Sequence, residues 1–232
     1  MSYFGKLASA VHEFGLGNAC IYFADRVLAQ VGGGVYRYQF VAQPVPTRPM
    51  LPAGRGQSVA VRLVSGDDPA LLQLPLDRKV LAFRKSQGCI CFGAFDEGKI
   101  IGCLWLSLGP YVEDEVRCRF VPSPAGKCAW DFDVYLSPEH RLGFGFARLW
   151  DEANGFLRRH GMIWSMSRIS ALNRSSLAAH ARLGAKPIGT AIFVRLGRGQ
   201  LAIASKFPWI NLSFGTASVP EFVLWPPVAA SR

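Results

Sequence analysis

The sequence predicts an α+β fold: a mixed, mainly antiparallel sheet flanked by helices, with one βαβ crossover. Two observations carry this. Between residues 59 and 136, short apolar runs alternate with turn residues, as in an antiparallel meander. After residue 136 the pattern changes to strand, helix, strand, the spacing that joins parallel strands by a right-handed crossover.

The elements follow in chain order. Residues 3–31 carry apolar side chains at helical spacing, with Phe4, Leu7, Val11 and Phe14 as one stripe and Phe23, Val27, Leu28 and Val31 as another. Gly15 and Gly17 break or kink the run, and Gly32-Gly33-Gly34 stops it. Val35–Val41 reads as a strand, and the prolines at 44, 46, 49 and 52 mark an extended linker. Val59–Val64 is a strand, and 68–87 is a broken helical pair. Cys89–Phe95 and Ile100–Leu108 form a hairpin about Asp96-Glu97-Gly98-Lys99. A third strand is predicted from Glu115 to Val121. Trp130–Leu136 alternates strictly, which puts Asp131, Asp133 and Tyr135 on one face.

Residues 144–160 form an amphipathic helix ending in Arg158, Arg159 and the stop residue Gly161. Ile163–Ile169 is the returning strand. A second helix, 173–183, is capped by Asn173 and stopped by Gly184. Strands at Pro187–Leu196 and Leu201–Ala204 precede a tail rich in aromatics and proline. Trp130, Trp150 and Trp164 fall on apolar faces and read as core. The expected organisation is an N-terminal helix, strand and linker over 1–52, a central domain over 53–200, and a C-terminal segment over 201–232.

Length and composition bound the class. The chain has 232 residues, 50% hydrophobic and 18% charged, which suits a well-buried core and excludes disorder. No apolar run approaches twenty residues, so no spanning helix is expected. No charged segment followed by an apolar block opens the chain, so the expected location is cytoplasmic, with peripheral membrane contact open. The six cysteines form no C-x-x-C pair and read as reduced thiols; no metal is expected. The net charge of +10 favours an anionic partner: nucleic acid, an acidic membrane, or a phosphorylated cofactor.

Candidate chemistry begins at Leu136–Arg148, where a strand runs into a helix start. Exposed amides and the positive end of the helix dipole bind phosphate there. Glycines allow close approach, and Arg141 and Arg148 add charge. A tight turn without a ligand has the same sequence signature. A second segment, Asn173 to Ala185, follows the returning strand. Together the two resemble the GNAT superfamily, in which a P-x-x-R-x-x-G-x-G/A-like loop and helix precede a strand and a helix of the form N-x-x-A-x-x-x-Y-x-x-x-G-F. Asn173, Ser176, His180 and Gly184 sit at the spacing of that helix. The likeness covers roughly residues 59–196.

There are two departures. Counted from Arg141, the family's glycine positions fall on Phe144 and Phe146. Gly143 and Gly145 fit if His140 takes the arginine's place. His180 stands where the family usually has tyrosine.

The resemblance implies an N-acyltransferase using acyl-CoA or acetyl-CoA as co-substrate. An amine acceptor such as an amino sugar or amino acid would attack directly. Val134 and Leu136 would pair with pantetheine. Arg141, Leu142, Gly143, Phe144, Gly145, Phe146, Asn173 and Ser176 would lie at the cofactor. His180 would protonate the departing thiolate, and imidazole is suited to such proton transfer.

Asp131 and Asp133 are candidates for a base, since two nearby carboxylates can raise one another's pKa. One of them could instead pair with Arg117, Arg119 or Arg168. Glu113 and Glu115 could hold a cationic substrate or belong to a solvated loop. No G-x-S-x-G elbow or Cys-His pair argues for a covalent route. A non-catalytic acyl-CoA sensor and a basic membrane- or nucleic-acid-binding module remain as alternatives. Scattered arginines speak against nucleic acid. Phe207, Trp209, Phe214, Phe222 and Trp225 could close the core, form a homodimer surface or shape an acyl pocket.

Overall fold

The computed structural model describes residues 15–216 and 218–227. The predicted stripe of Phe4, Leu7, Val11 and Phe14 lies outside the described residues. The architecture is mixed α/β and mainly antiparallel, as predicted. The chain forms two compact units: one of residues 43–114 and 120–167, the other of residues up to 42, 115–119 and from 168 onward.

The first unit is built on β2 (Val59–Val64), β3 (Ile90–Asp96), β4 (Lys99–Ser107) and β7 (Cys128–Leu136), each antiparallel to the next. The short strands β5 (Tyr111–Val112) and β6 (Arg119–Pro122) lie between β4 and β7 in sequence. β3 and β4 join through Glu97 and Gly98, both at positive φ (47° and 80°), with Asp96 opposite Lys99. This is the tight two-residue hairpin that the acidic-glycine sequence predicts. Helix α2 (Arg78–Ser86) starts where the Asp77 carboxylate accepts from the Lys79 amide.

Helix α3 (Gly145–Arg159) packs on β2, β3 and β4. Its buried stripe is Leu149, Trp150, Ala153 and Leu157, all fully inaccessible. Burying each large member contributes about 1.5–3 kcal/mol. The helix stops at Gly161, at φ 74°, whose amide donates to the Arg158 carbonyl. The linker 45–58 becomes a strap over α3. Both oxygens of Asp151 accept from strap amides, at Met50 (2.6 Å) and Leu51 (3.0 Å), and Arg158 donates to the Pro46 carbonyl (2.8 Å).

The second unit carries β1 (Gly34–Pro44), β9 (Lys186–Leu196), β10 (Gly199–Ala204) and β11 (Ile210–Phe214), antiparallel in the order β11, β10, β9, β1. Strand β12 is Glu221–Leu224. Helix α1 (Leu16–Ala29) rests on β1, with Asn18 accepting from Arg37 (2.9 Å) and Asp25 from the Val35 amide (2.9 Å). Helix α4 (Arg174–Arg182) is capped as predicted, Asn173 accepting from the Ser176 amide at 3.0 Å, and Gly184 follows it at φ 84°.

The predicted α1 stripe is partly covered: Val27 and Val31 are exposed, Phe23 and Leu28 are half-buried, and Ala19 alone on the helix is buried. The helix is held by polar contacts to β1 instead. The strand predicted from Glu115 to Val121 is confined to Arg119–Pro122. Glu115 is drawn into ion pairing and Arg117 exchanges hydrogen bonds with Gln200, which takes the backbone out of a ladder.

One close approach fixes the end of β7. Gly102 faces Leu136 across the β4–β7 ladder, and a Cβ there would lie 2.5 Å from the Tyr135 carbonyl oxygen and 2.7 Å from Leu136 Cδ1. Backbone cannot yield as a side chain can, so Gly102→Ala should lose about 2–3 kcal/mol of stability. Chemical denaturation of the purified variant measures this, and an unchanged midpoint would refute the constraint.

Candidate functional site

The parallel strand pair organises the site. Strand β8 (Trp164–Ser170) runs parallel to β7, but their pairing covers only Cys128↔Trp164, Ala129↔Ser165 and Trp130↔Met166. β7 continues six residues beyond the last of these, to Leu136. Over that stretch it keeps β4 as partner on the other side, through Phe132, Tyr135 and Leu136.

β7 also bulges there. Phe132 faces Trp105 and Tyr135 faces Cys103, so three steps on β7 match two on β4. Asp133 sits in the bulge at φ 49°, a left-handed conformation that aspartate tolerates better than most residues.

The bulge separates the two aspartates that strict alternation puts together. Asp131 is 1% exposed, and its Oδ2 accepts from Ser165 Oγ at 2.8 Å on the parallel neighbour. Burial pushes its pKa up to about 7, against the lowering effect of the Ser165 and Ser167 hydroxyls. The cause is desolvation and not a second carboxylate. Asp133 turns instead to Arg84 of α2, which donates to it through Nη1 (2.5 Å). The predicted partners Arg117, Arg119 and Arg168 are not the ones that bind it. Arg84 also donates to Asp114 through Nε (3.0 Å) and Nη2 (2.8 Å).

The Arg84 guanidinium is buried and lies over the Trp105 and Phe132 rings, at 5.3 and 5.2 Å. Tyr111 stacks on the other ring neighbour, Phe132, with centroids 4.2 Å apart. The carboxylates hold the Arg84 charge firmly, its pKa raised despite burial. Arg84 thus holds two carboxylates at once. Nothing in the spacing of residues 84, 114 and 133 marks them as neighbours; only the fold does.

Of the acidic run 113–115, Glu113 and Asp114 are withdrawn from solvent and Glu115 stays exposed. Glu113 is 5% exposed and Asp114 is bound by Arg84. Glu115 accepts from the Tyr38 hydroxyl (2.5 Å) and pairs with Arg168 (3.0 Å), whose guanidinium lies over the Tyr38 ring.

After β7 the chain makes the predicted strand-to-helix turn. Pro138–His140 form a short 3-10 turn. His140 is clamped between Ser137 Oγ (2.8 Å) and Asp96 Oδ2 (3.2 Å). Arg141 donates through Nε to the Leu136 carbonyl (2.9 Å), which directs it back toward the strand. Leu142 is fully exposed and Phe144 is 44% exposed.

Helix α3 then begins at Gly145 with no side-chain cap, so its first-turn amides lack an intrahelical acceptor. The missing Cβ of Gly145 matters: it would sit 3.1 Å from both methyls of Leu136. Phe146 follows on the first turn. Val134 is half-buried and Leu136 buried on the same strand.

The sequence reading misses Arg55 and the strap. Gly56, at φ 70°, lies so close that a Cβ would be 2.7 Å from Phe144 Cβ and 3.0 Å from Arg148 Cγ. Arg55 stands over the Phe144 ring at 5.8 Å. The strap and α3 enclose a cavity of about 440 Å³ whose lining includes Arg55, Arg148, Arg158 and Arg159. The Gly-Arg-Gly at 54–56 is the available signal for this approach. His180 is 4% exposed, and burial pushes its pKa down to about 4.

Residues 60–185 match the Acetyltransferase (GNAT) family. The chain belongs to that family. Acyl transfer is the general chemistry of that family. No curated protein sequence matches the chain. Among solved structures, a functionally unknown conserved protein from Staphylococcus epidermidis ATCC 12228 aligns at 9% identity with a TM-score of 0.52, over 74% of this chain and 65% of its own. A tandem GNAT protein from the clavulanic acid biosynthesis pathway aligns at 16% identity and 0.47, over 73% and 57%. An aminoglycoside acetyltransferase from an uncultured soil metagenomic sample aligns at 12% and 0.41, over 55% and 88%. The chain thus spans less than two thirds of the length of the first two. At these identities the likeness is one of fold.

Two buried groups make opposite pH predictions. Asp131 is protonated more readily folded than unfolded, so its contribution is present at low pH and is lost as pH rises toward about 7. His180 contributes above about pH 6.5, and that is lost as pH falls toward about 4. Asp131→Asn should therefore gain stability relative to the parent as pH rises from 5 to 8, by about 3 kcal/mol. Parallel melts across this range measure it, and parallel curves would refute the assignment. Arg84→Met strands two carboxylates and should cost about 3 kcal/mol, read by denaturant titration.

Proposed function

We propose that this protein transfers an acyl group from acyl-CoA to a primary amine by direct attack. The observation that carries the reading is the early end of the β7–β8 pairing, followed on the same strand by an uncapped helix start. A strand edge offers unpaired amides and carbonyls to the pantetheine arm, and Val134 and Leu136 occupy that stretch of β7. The first-turn amides of α3, with the dipole behind them, take the pyrophosphate. Leu142, Gly143, Phe144, Gly145 and Phe146 form its wall. Arg55 and Arg148 supply charge at the same turn, while Arg141 braces the Leu136 carbonyl. Asn173 and Ser176 keep the cofactor role that the family resemblance gives them.

The acceptor is a cationic amine. Asp133, at the β7 bulge, is the aspartate of the strand with an accessible side chain and would face the amine. Glu115, bound to Arg168, takes part through the charge around it. The bound ammonium first gives one proton to solvent; the neutral nitrogen then forms the new bond to the acyl carbon, the carbon–sulfur bond breaks, and the nitrogen's second proton ends on the departing sulfur. Asp131, fully buried, ties β7 to Ser165 and acts by holding the end of the parallel ladder. His180 is neutral at pH 7 and serves as an N–H hydrogen-bond donor to the sulfur, not as an imidazolium acid.

Thermal melts with CoA, acetyl-CoA and a long-chain acyl-CoA test the donor. A ligand at about 100 times its Kd stabilises by ~2.7 kcal/mol, so the midpoint should rise with each, and no rise with any removes CoA as donor. His180→Phe should lower kcat by about 100-fold, whereas His180→Tyr should restore it. Thiol release in the presence of a polyamine or amino sugar reads both. An unchanged rate in His180→Phe would favour a domain that binds acyl-CoA without using this residue.

A further inference from the structure

Strands β9, β10 and β11 present an inverted pattern. Their inward side chains are buried and, apart from Phe193, mostly small or polar: Ala191, Gln200, Ala202 and Ser213. Large apolar side chains point the other way, to solvent. Ile203 (46% exposed) faces Ile210 (70%) across the ladder, and Leu212 (59%) and Phe214 (62%) continue the same face. At the loop between β10 and β11, Phe207 (72%) and Trp209 (66%) stand edge to face, with centroids 5.7 Å apart. The first four of these side chains share one face of the ladder, and the two loop aromatics stand at its end beside Lys206; an exposed apolar patch of this kind marks an interaction surface.

Charge identifies the occupant. From Arg168 to Pro220 the chain carries Arg168, Arg174, Arg182, Lys186, Arg195, Arg198 and Lys206 and no aspartate or glutamate. Lys206 adjoins Phe207 and is exposed, as is Arg198 at the β9–β10 turn. A second copy would bring the same cations against these, a like-charge juxtaposition that disfavours pairing. Phe207, Trp209 and Phe214 could stack on bases, but Ile203, Ile210 and Leu212 beside them cover the rest of the face with aliphatic groups that neither stack on bases nor meet phosphate. We infer that the β9–β11 face docks on an anionic lipid bilayer, with Phe207 and Trp209 entering the interface and Lys206 and Arg198 meeting the headgroups. No described helix is long and apolar enough to span a membrane, so the contact is peripheral. This inference is independent of the acyl-transfer reading.

Co-sedimentation of the full chain tests it, using vesicles of phosphatidylcholine alone and with about 30 mol% phosphatidylglycerol. Partitioning onto the anionic vesicles should be about tenfold stronger and should weaken at ~0.5 M salt. The double variant Phe207→Ser, Trp209→Ser should lose about tenfold in partitioning. Its thermal midpoint should stay unchanged, because both side chains are exposed. Arg198→Glu with Lys206→Glu should abolish the anionic preference. Recovery in the supernatant with both vesicles would overturn the inference. So would a dimer by light scattering that the serine variant dissolves, or binding to RNA in place of vesicles.

Discussion

Arg84 is a charged group almost wholly withdrawn from water, and the geometry of β7 depends on how that cost is met. Two carboxylates and two aromatic faces surround it. One of those carboxylates belongs to Asp133, a residue in a left-handed conformation that costs roughly 1–2 kcal/mol for a side chain with a Cβ. The ion pair offsets that strain, and the strain gives β7 its bulge. The bulge in turn lets the strand run past its parallel neighbour and into the start of α3. Stability and the shape of the candidate site are thus coupled through a single guanidinium.

This coupling explains what was legible in the sequence. Periodicity and turn residues reported the hairpin at Glu97-Gly98, the strand Val59–Val64, helix α3 and the Asn173 cap, because each is decided by neighbours in sequence. The order of strands and helices then carried the family. Position in the site was less legible. Alternation put Asp131 and Asp133 together, since it cannot register the one extra residue of a bulge. Arg84 and Asp114 carry no local mark of their meeting. The run 113–115 read as solvated because its partners, Arg84 and Arg168, lie 30 and 53 residues away in the chain.

The two buried titratable groups are governed by one physical effect with opposite signs. Burial disfavours charge, so it raises a carboxyl and lowers an imidazole. At neutral pH, Asp131 is then near its midpoint and His180 is uncharged. A site built this way presents fewer charges than its composition implies.

The clasp made by Asp151 has a consequence for how the chain reaches this state. Its two oxygens hold the amides of Met50 and Leu51, about a hundred residues earlier, and Arg158 holds the Pro46 carbonyl. Contacts across that separation close a large loop, and their entropy must be met before they return any stabilisation. During synthesis the strap emerges long before the helix that receives it. The segment 45–58 must therefore wait, unfastened, until α3 has left the ribosome and docked on its sheet, which makes it a late-closing belt around a finished core.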